Sequence, residues 1–517
     1  MRQYLFTTGC MFSAVFMLFT GCSSHREQYP NIVFILADDL GYGDPQCYNP
    51  DSKIPTPNID KLSRQGMLFT DAHTPSSVCS PTRYGLLTGR YCWRTQLTSG
   101  VLDGFAPGLI ETGRMTLASL LKSKGYHTAC IGKWHLGMQW TDKNGESVPG
   151  RPNHSGTFRS GDNTDFSVPV RNGPNDAGFD YYFGISASLD MSPYCFIENT
   201  RTVGIPDITT AENIGLFMNQ VAGLKTRDFR LEDVLPVFRS KAVEYISTQG
   251  VSVENPFFLY LPLSAPHLPI VPNEKYLGRS MAGKYGDFVT EVDDFVGRIL
   301  ESLEETGQKE NTLVFFSSDN GGLWHYWDDQ ETGINACLLT DRAKYMKTFG
   351  HQSNKNWRGT KADIWEGGHR VPFIACWPGK ISPGSVSRQL ICLTDVLATF
   401  AAVVDEKLPD NAGEDSYNIL PVLLGENKDT LREAIVSHSL SGMFSIRRGD
   451  WKLIIGKGSG GFSKPLNPEL LKEQPPGQLY NLKDDPEESH NLFTDKPEIV
   501  EQLQSLLDNY TVTGRSR

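Results

Sequence analysis

Several short stretches of this 517-residue chain set reactive or ligating side chains at close spacing. Cys79 lies in Ser76-Ser77-Val78-Cys79-Ser80-Pro81-Thr82-Arg83, with a proline two residues on and an arginine four on. Carboxylates are adjacent at Asp38-Asp39, and a third acid stands beside an amide at Asp319-Asn320. Lys133 and His135 are two apart, and His267 and Lys361 close Ser-Ala-Pro-His and Arg-Gly-Thr-Lys. Asp38, Asp39, Asp319 and the Asn320 side-chain oxygen make an all-oxygen donor set, suited to Ca²⁺ or Mg²⁺ and poor for zinc. The lysines, histidines and Arg83 are donors for an anion. Taken together, these groups can neutralise an oxyanion in front of a nucleophile. Taken singly, Asp-Asp-Leu-Gly also reads as a turn with two solvated acids, and a lone histidine as a core residue.

The elements that must position these groups are visible in the hydropathy pattern. Asn31–Ala37 is a continuous apolar run, as expected of a parallel strand covered on both faces, and Asp38-Asp39 follow it directly. Thr128–Ile131, Pro256–Leu261 and Thr312–Ser317 are runs of the same kind, followed by Lys133/His135, His267 and Asp319-Asn320. Ligands of open α/β sheets bind outside the carboxyl ends of the strands, so these dispersed groups are expected to converge at one edge. Lys133 and His135 share a side if their strand continues. Pro81 suits the first turn of a helix, which puts Cys79 at or just before a helix N-terminus, where free N–H groups favour an anion. The same setting would activate a thiol, so a reactive cysteine stays open at this point. Thr88-Gly89-Arg90 reads as the stop of that helix. Further helices are expected over Thr56–Gly66, Thr116–Lys124 and Leu231–Ser247, and on the Val289–Leu303 stripe stopped by Gly307. Val371–Ala375 reads as the last strand of the series, and the polar stretch Gln139–Asn175 as a long surface loop. Beyond about residue 420, Met443–Arg447 and Trp451–Ile455 alternate around Arg448-Gly449-Asp450 as a hairpin, and a helix near Pro497–Asn509 closes the chain.

Cys79, Pro81, Arg83 and the closing Thr88-Gly89-Arg90 resemble the signature of the type I sulfatases. The likeness extends over nearly the whole chain, through Gly132-Lys133-Trp134-His135-Leu136-Gly137, Gly178–Gly184, Arg358–Lys361 and Trp365-Glu366-Gly367-Gly368. It implies an α/β fold of the alkaline phosphatase type. That fold has a large, mostly parallel or mixed central sheet flanked by helices, with a smaller C-terminal domain of antiparallel sheet plus helix. It also implies that a maturation enzyme oxidises Cys79 to formylglycine, whose hydrate attacks a sulfate ester. The metal set would be Asp38, Asp39, Cys79, Asp319 and Asn320, with calcium favoured over magnesium. Arg83 and His135 would orient the hydrate, Lys133, Lys361 and His267 would surround the sulfate, and Asp319 would accept a proton. His267 or Lys361 would protonate the departing alcohol. The segment Ser186–Asn199 departs from the family pattern. With the insertion Trp324–Trp357 it suggests Asp190, His325, Arg342 and His351 as sugar contacts, the alternative for each being a solvated loop position.

The length suggests about two domains: residues 29–420 for the catalytic domain and 421–517 for the C-terminal one. A formal charge of −11 argues against non-specific nucleic-acid binding. Of ten cysteines, none forms Cys-x-x-Cys, and seven remain once Cys10, Cys22 and Cys79 are set aside, so neither a disulfide framework nor a zinc site is indicated. Arg2, the apolar run around Met11–Phe19 and the small residues after it read as a secretory signal, too short for a membrane span. Cys22 after Gly21 resembles a bacterial lipobox within residues 1–22, with plain signal cleavage as the alternative. The expected protein is therefore exported, in the periplasm or as an outer-membrane lipoprotein of a Gram-negative bacterium, with membrane contact only through a lipid anchor. The expected substrate is a sulfated glycan, with galactose or N-acetylgalactosamine sulfate first. A phosphate or phosphonate ester hydrolase of the same superfamily, or a non-catalytic binder of sulfated glycans, are the competing readings.

Overall fold

The structure, a computed structural model, describes residues 1, 29–149, 152–153, 161–249, 256–326, 341–426, 429–463 and 471–517. The leader reading, with Cys10 and Cys22, and also Cys337, fall outside these residues. Among the described residues no helix is long and apolar enough to cross a membrane.

The fold is built on Asn31–Ala37 (β1), every residue of which is buried. Its sequence does not alternate because both of its faces meet a core. Ile32, Phe34 and Leu36 join one apolar cluster, and Val33, Ile35 and Ala37 the other. The remaining strands of the main sheet are Met67–Phe69 (β2), His127–Lys133 (β3), Tyr181–Ile185 (β4), Ile197–Glu198 (β5), Arg201–Thr202 (β6), Phe257–Pro262 (β7), Thr312–Ser318 (β8), Phe373–Cys376 (β9) and Ser385–Ser387 (β10). They form one ten-stranded sheet in the order β10-β2-β9-β8-β1-β7-β3-β4-β5-β6. The central pairs β8–β1, β1–β7, β7–β3 and β3–β4 are parallel. β9 runs antiparallel to both neighbours, and the series continues past Ala375 to β10 at the edge, so β9 is not its last strand.

Helices Pro57–Gln65 (α1), Val234–Gln249 (α4) and Gly283–Glu305 (α5) cover one face. Cys79–Thr88 (α2), Leu117–Ser123 (α3) and Val396–Val403 (α6) cover the other. Local chemistry explains their ends. Thr116 and Ser119 form a reciprocal capping box for α3. Gly89 ends α2 with φ +64, a left-handed conformation that glycine adopts without steric cost. The first N–H groups of α1 have no cap of their own and are taken by Asp293 of α5, which accepts from Asn58 and Ile59.

The stretch from Gln139 to Asn175 is not a plain surface loop. Trp140, Phe166 and Val170 are buried, and the rings of Trp140 and Phe166 pack edge-on to each other and tilted against Phe105. Aromatic residues scattered among glycines and prolines carry no periodicity, which is why the pattern reads as solvated.

The C-terminal sheet is antiparallel, Ile435–His438 (β11), Phe444–Arg448 (β12), Trp451–Ile454 (β13) and Gln478–Asn481 (β14), and Pro497–Thr513 (α7) packs Leu503, Leu507 and Tyr510 against it. Its junction with the main sheet is a buried charge network. Asp71 meets Arg370 and Arg447 at 2.8 and 2.7 Å, Glu366 meets Arg370 and Lys452 at 3.0 and 3.1 Å, and Glu488 meets Lys452 at 2.9 Å. His73 and His369 share a 3.0 Å Nδ1···Nδ1 hydrogen bond inside it. His73, Glu366 and His369 are close enough for a metal, but the network already matches three acids with three bases.

Two stability predictions follow from these buried groups. Lys452→Ala strands the buried Glu488 carboxylate and takes one of its two bases from Glu366, and should cost about 3–5 kcal/mol in denaturant unfolding. Glu291 is buried with its pKa pushed up from 4.5 to about 7, chiefly by desolvation. A folded-state pKa above the unfolded one means that stability is lost as pH rises from 4.5 through 7, at about 1.4 kcal/mol per pH unit. Glu291→Gln should remove that loss, gaining on wild type between pH 5 and pH 8; a pH-independent difference in unfolding free energy would refute this.

Candidate active site

The carboxyl ends of β8, β1, β7 and β3 lie side by side, because these four strands are consecutive and parallel. Asp38 and Asp39 leave the end of β1, Asp319 and Asn320 the end of β8, and Lys133 is the last residue of β3. His267 follows β7 by five residues. Asp38, Asp39, Cys79 and His267 present ligand atoms all within 4.8 Å of one another.

Opposite charges tie this edge together. Lys133 donates to Asp38 at 2.7 Å and Lys361 to Asp39 at 2.9 Å. Arg83 reaches Asp319 through Nε at 3.0 Å and Nη2 at 2.7 Å, lies 3.6 Å from Asp38, and donates to the Lys133 carbonyl at 3.0 Å. Burial raises the Asp38 pKa, but Lys133, His267, Arg83 and Lys361 outweigh it and hold Asp38 well below the usual carboxylate range. Asp319 moves the other way, up to about 6, through burial and the charge of Asp38, which Arg83 offsets only in part. Carboxylates crowded to this degree are relieved by a cation.

The donor set fits a hard cation. Asn320 gives its Nδ2 to Asp39 Oδ1 at 2.8 Å and to the Gly321 carbonyl, while its buried Oδ1 has no protein partner. An amide oxygen left bare on a side chain bonded to Asp39 is what a cation ligand requires. Asp319 is not part of the close group; its Oδ1 accepts from the Asp39 amide at 3.2 Å and its Oδ2 is held by Arg83. Asp39 itself has φ +66, an uncommon conformation for a residue with a side chain and one found at functional turns.

Cys79 is the first residue of α2, and its thiol lies 3.8 Å from Asp38 Oδ1. Burial pushes the thiol up to about 12, only partly offset by Lys133 and Lys361. The unmodified side chain is therefore protonated at neutral pH, and the reading of a reactive thiol fails on desolvation. The loop before it is held from the C-terminal sheet, where the His438 carbonyl accepts from the Ser77 amide at 3.0 Å and the Ser76 hydroxyl at 3.1 Å. Nothing in the sequence spacing signals that contact, since it depends on a carbonyl more than 350 residues away.

β3 stops at Lys133, and the chain turns sharply through His135, which has φ +56, so the two side chains do not continue one strand face. His135 Nε2 donates to the Leu102 carbonyl at 2.7 Å, and its buried Nδ1 has no protein partner. Burial first, then Lys133 and Arg83, hold its pKa well below 6.5, so it is a neutral acceptor. His267 donates from Nδ1 to the Leu268 carbonyl at 2.5 Å, leaving Nε2 3.7 Å from Asp39.

The four sugar-contact expectations divide. His325 is buried, accepts from the Asn354 amide and donates to the Trp357 carbonyl, so both ring nitrogens are spent within the fold. His351 likewise accepts from the Lys53 amide and donates to Asp44. Neither is available to a sugar, which corrects that expectation. Arg342 is half-buried, donates to the Leu216 carbonyl at 3.4 Å and feels the charge of Asp39. Asp190 accepts from Asn219 at 3.2 Å through Oδ2, and its Oδ1 has no protein partner.

A cation pocket and a basic cradle facing a helix-terminal side chain, at the carboxyl edge of a parallel sheet, define a hydrolase of charged esters with the alkaline phosphatase-like fold. Residues 30–406 match the family model described as Sulfatase, and residues 357–513 the one described as N-sulphoglucosamine sulphohydrolase, C-terminal. The chain belongs to the sulfatase family and is a sulfuric ester hydrolase. It is 33% identical to the N-acetylgalactosamine-6-O-sulfatase of Bacteroides thetaiotaomicron, over 95% of this chain and 96% of that one. It is 31% identical to human arylsulfatase A, over 92% and 87% of the two chains. Among solved structures, a Bacteroides thetaiotaomicron sulfatase from a study of glycosaminoglycan metabolism superposes with TM-score 0.78 at 32% identity, covering 94% of this chain and all of that one. A phosphonate monoester hydrolase of Agrobacterium radiobacter, at 17% identity and TM-score 0.56, shares the fold alone.

Adding CaCl₂ or MgCl₂ to metal-stripped protein should raise its Tm, by about 2.7 kcal/mol of stability at a hundredfold excess over Kd. Asp39→Asn and Asn320→Ala should each shrink that rise. An equal rise in wild type and both variants, followed by calorimetry, would place the cation elsewhere.

Proposed function

We propose that this protein is an exported bacterial carbohydrate sulfatase that removes the 6-sulfate from N-acetylgalactosamine or galactose units of host-type glycans such as mucin or glycosaminoglycans. The observation that carries the substrate is the near full-length kinship to a bacterial N-acetylgalactosamine-6-O-sulfatase. Export follows from the apolar leader, with Cys22 as lipid attachment site. A formylglycine-generating enzyme is the partner that matures Cys79. Residues 29–420 and 421–517 serve as catalytic and C-terminal domains.

Calcium is the proposed cation, held by Asp38, Asp39, Asp319, Asn320 and the converted residue 79, where it would neutralise sulfate oxygens. Conversion of Cys79 supplies a hydrated aldehyde, with one oxygen to attack sulfur and a second hydroxyl that permits later release of sulfate. The protein's own residues then account for the rest. Lys133 and Lys361 supply positive charge to the sulfate and, as preorganised donors, favour the charge that develops in transfer. His267, with Nδ1 fixed on a carbonyl, presents Nε2 for a proton to the departing alcohol, a role Lys361 shares. Asp319, held in place by Arg83, accepts the attacking proton. His135, neutral with a free Nδ1, assists the collapse that expels sulfate. Asp190 and Arg342 are the proposed sugar contacts.

Full-length protein coexpressed with a maturation enzyme should show the thiol-to-aldehyde mass change at Cys79. It should hydrolyse N-acetylgalactosamine-6-sulfate at least about tenfold faster than N-acetylglucosamine-6-sulfate, since one misplaced hydroxyl costs a hydrogen-bonding site that much or more. Equal rates on the two sugars would remove the galacto assignment. Cys79→Ser lacks the second hydroxyl and should turn over poorly or stop as a sulfated enzyme. Full activity from protein whose Cys79 remains a thiol would overturn the mechanism.

A further inference from the structure

The stretch His351–Lys355 makes no bond to Asp38, Asp39, Lys133 or Lys361, yet it is bonded to three of the loops that carry the site. Asn354 is fully buried. Its Oδ1 accepts from the Gly322 amide at 2.8 Å, and its Nδ2 donates to the Gly322 carbonyl at 2.9 Å and to the Gly359 carbonyl at 3.1 Å. Its own amide donates to His325 at 3.2 Å, which uses up the last polar group on that side. One carboxamide therefore joins the loop after Asp319-Asn320 to the loop before Lys361.

The same Gly322 carbonyl also accepts from the Lys361 amide at 3.3 Å. The connections close a ring: Asn320 to Asp39 at 2.8 Å, Asp39 to Lys361 at 2.9 Å, and Lys361 back to Gly322 through the backbone. Asn354 sits behind this ring and fixes its width. On the other side, Ser353 accepts from the Gly43 amide at 2.5 Å, and His351 holds Asp44 at 2.8 Å, which in turn accepts from the Gly41 amide at 2.7 Å. The turn after Asp38-Asp39 is thus anchored to the same five residues. The approach is close enough to demand glycine: a Cβ on Gly41 would lie 2.1 Å from the Ser353 carbonyl oxygen, and one on Gly322 2.8 Å from Ser353 Oγ.

We propose that Asn354 is a positioning residue, whose side chain sets the distance between the Lys361 ammonium and the cation ligands Asp39 and Asn320. Removing it leaves the buried Gly359 carbonyl and the Gly322 amide without a partner and leaves the Gly322 carbonyl only its longer bond from the Lys361 amide, so the two loops must shift to find replacements. The proposal rests on the assignment of Lys361 to the sulfate and of Asp39 and Asn320 to the cation, not on which sugar carries the ester.

The test uses matured, full-length enzyme on whichever sulfate ester the wild type turns over, a sulfated sugar or an aryl sulfate, with every value taken relative to wild type. Asn354→Ala should lower kcat by about tenfold to a hundredfold, as displacements of about 1 Å do. The calcium concentration for half-maximal activity should rise, while KM stays within about threefold, because the sugar contacts lie elsewhere. Ser353→Ala, which removes only the hydroxyl bond to the Trp324 carbonyl, should keep wild-type kcat and calcium dependence. In Asn354→Ala/Lys361→Ala, kcat should be no lower than in Lys361→Ala alone, since the first residue acts through the second. Asn354→Asp keeps the acceptor for Gly322 and loses both donor bonds, and should follow the alanine variant. Wild-type kcat in folded Asn354→Ala, or additive losses in the double variant, would overturn the proposal. So would failure of both Asn354 variants to fold, which would assign the residue to stability alone.

Discussion

The constraint on which the structure depends is the burial of charge at one edge of the main sheet. Asp38, Asp39 and Asp319 are held there with Arg83, Lys133 and Lys361, almost entirely out of solvent. An ionised group taken from water without a partner costs several kcal/mol, so none of the six is tolerable alone. Each must therefore be delivered to within hydrogen-bonding distance of an opposite charge. Adjacent parallel strands do this, since β8, β1, β7 and β3 end on the same side and their first loop residues meet. The network that secures the folded state is the one a cation and a sulfate ester would enter.

The C-terminal sheet is part of that delivery. Its strand β11 supplies the carbonyl that orders Ser76 and Ser77, immediately before Cys79. The neutral network of Asp71, Glu366 and Glu488 with Arg370, Arg447 and Lys452 joins the same sheet to the segment that follows Lys361. A residue near the start of the chain and one near its middle are thus held by elements close to its end. Burying six charges in such a junction adds little net stability over an apolar one, but it admits few alternative packings.

Much of this was legible in the residues. β1, β7 and β8 are uninterrupted apolar runs, and such runs have one stable use, a strand covered on both faces. Pro57 and Gly89 marked helix ends because each restricts or frees φ in a way no neighbour compensates, and Gly66 because its Cα passes close to the Ala375 carbonyl. The polar groups directly after the strands pointed to one edge. The antiparallel sense of β9 was not legible, because strand direction leaves no trace in hydropathy. The burial of Trp140 and Phe166 was hidden as well, since irregular backbone has no period. His325 and His351 illustrate a further limit: a histidine beside an aromatic-rich insertion reads the same whether it faces a ligand or a backbone amide.

By itself, then, the sequence determined which side chains are available for chemistry, which segments are buried strands and helices, and, through motif resemblance, the sulfatase family to which the chain belongs. These are properties of residue type and local period, which a chain carries before it folds. Tertiary structure alone decided that the Cys79 thiol is buried and held protonated, that His135 is neutral and leaves its strand, that the Asn320 oxygen is bare, and that Asn354 bridges the loops after Asp319-Asn320 and before Lys361. Each of those depends on desolvation or on a partner distant in sequence, and neither exists until strand order has brought the loops together.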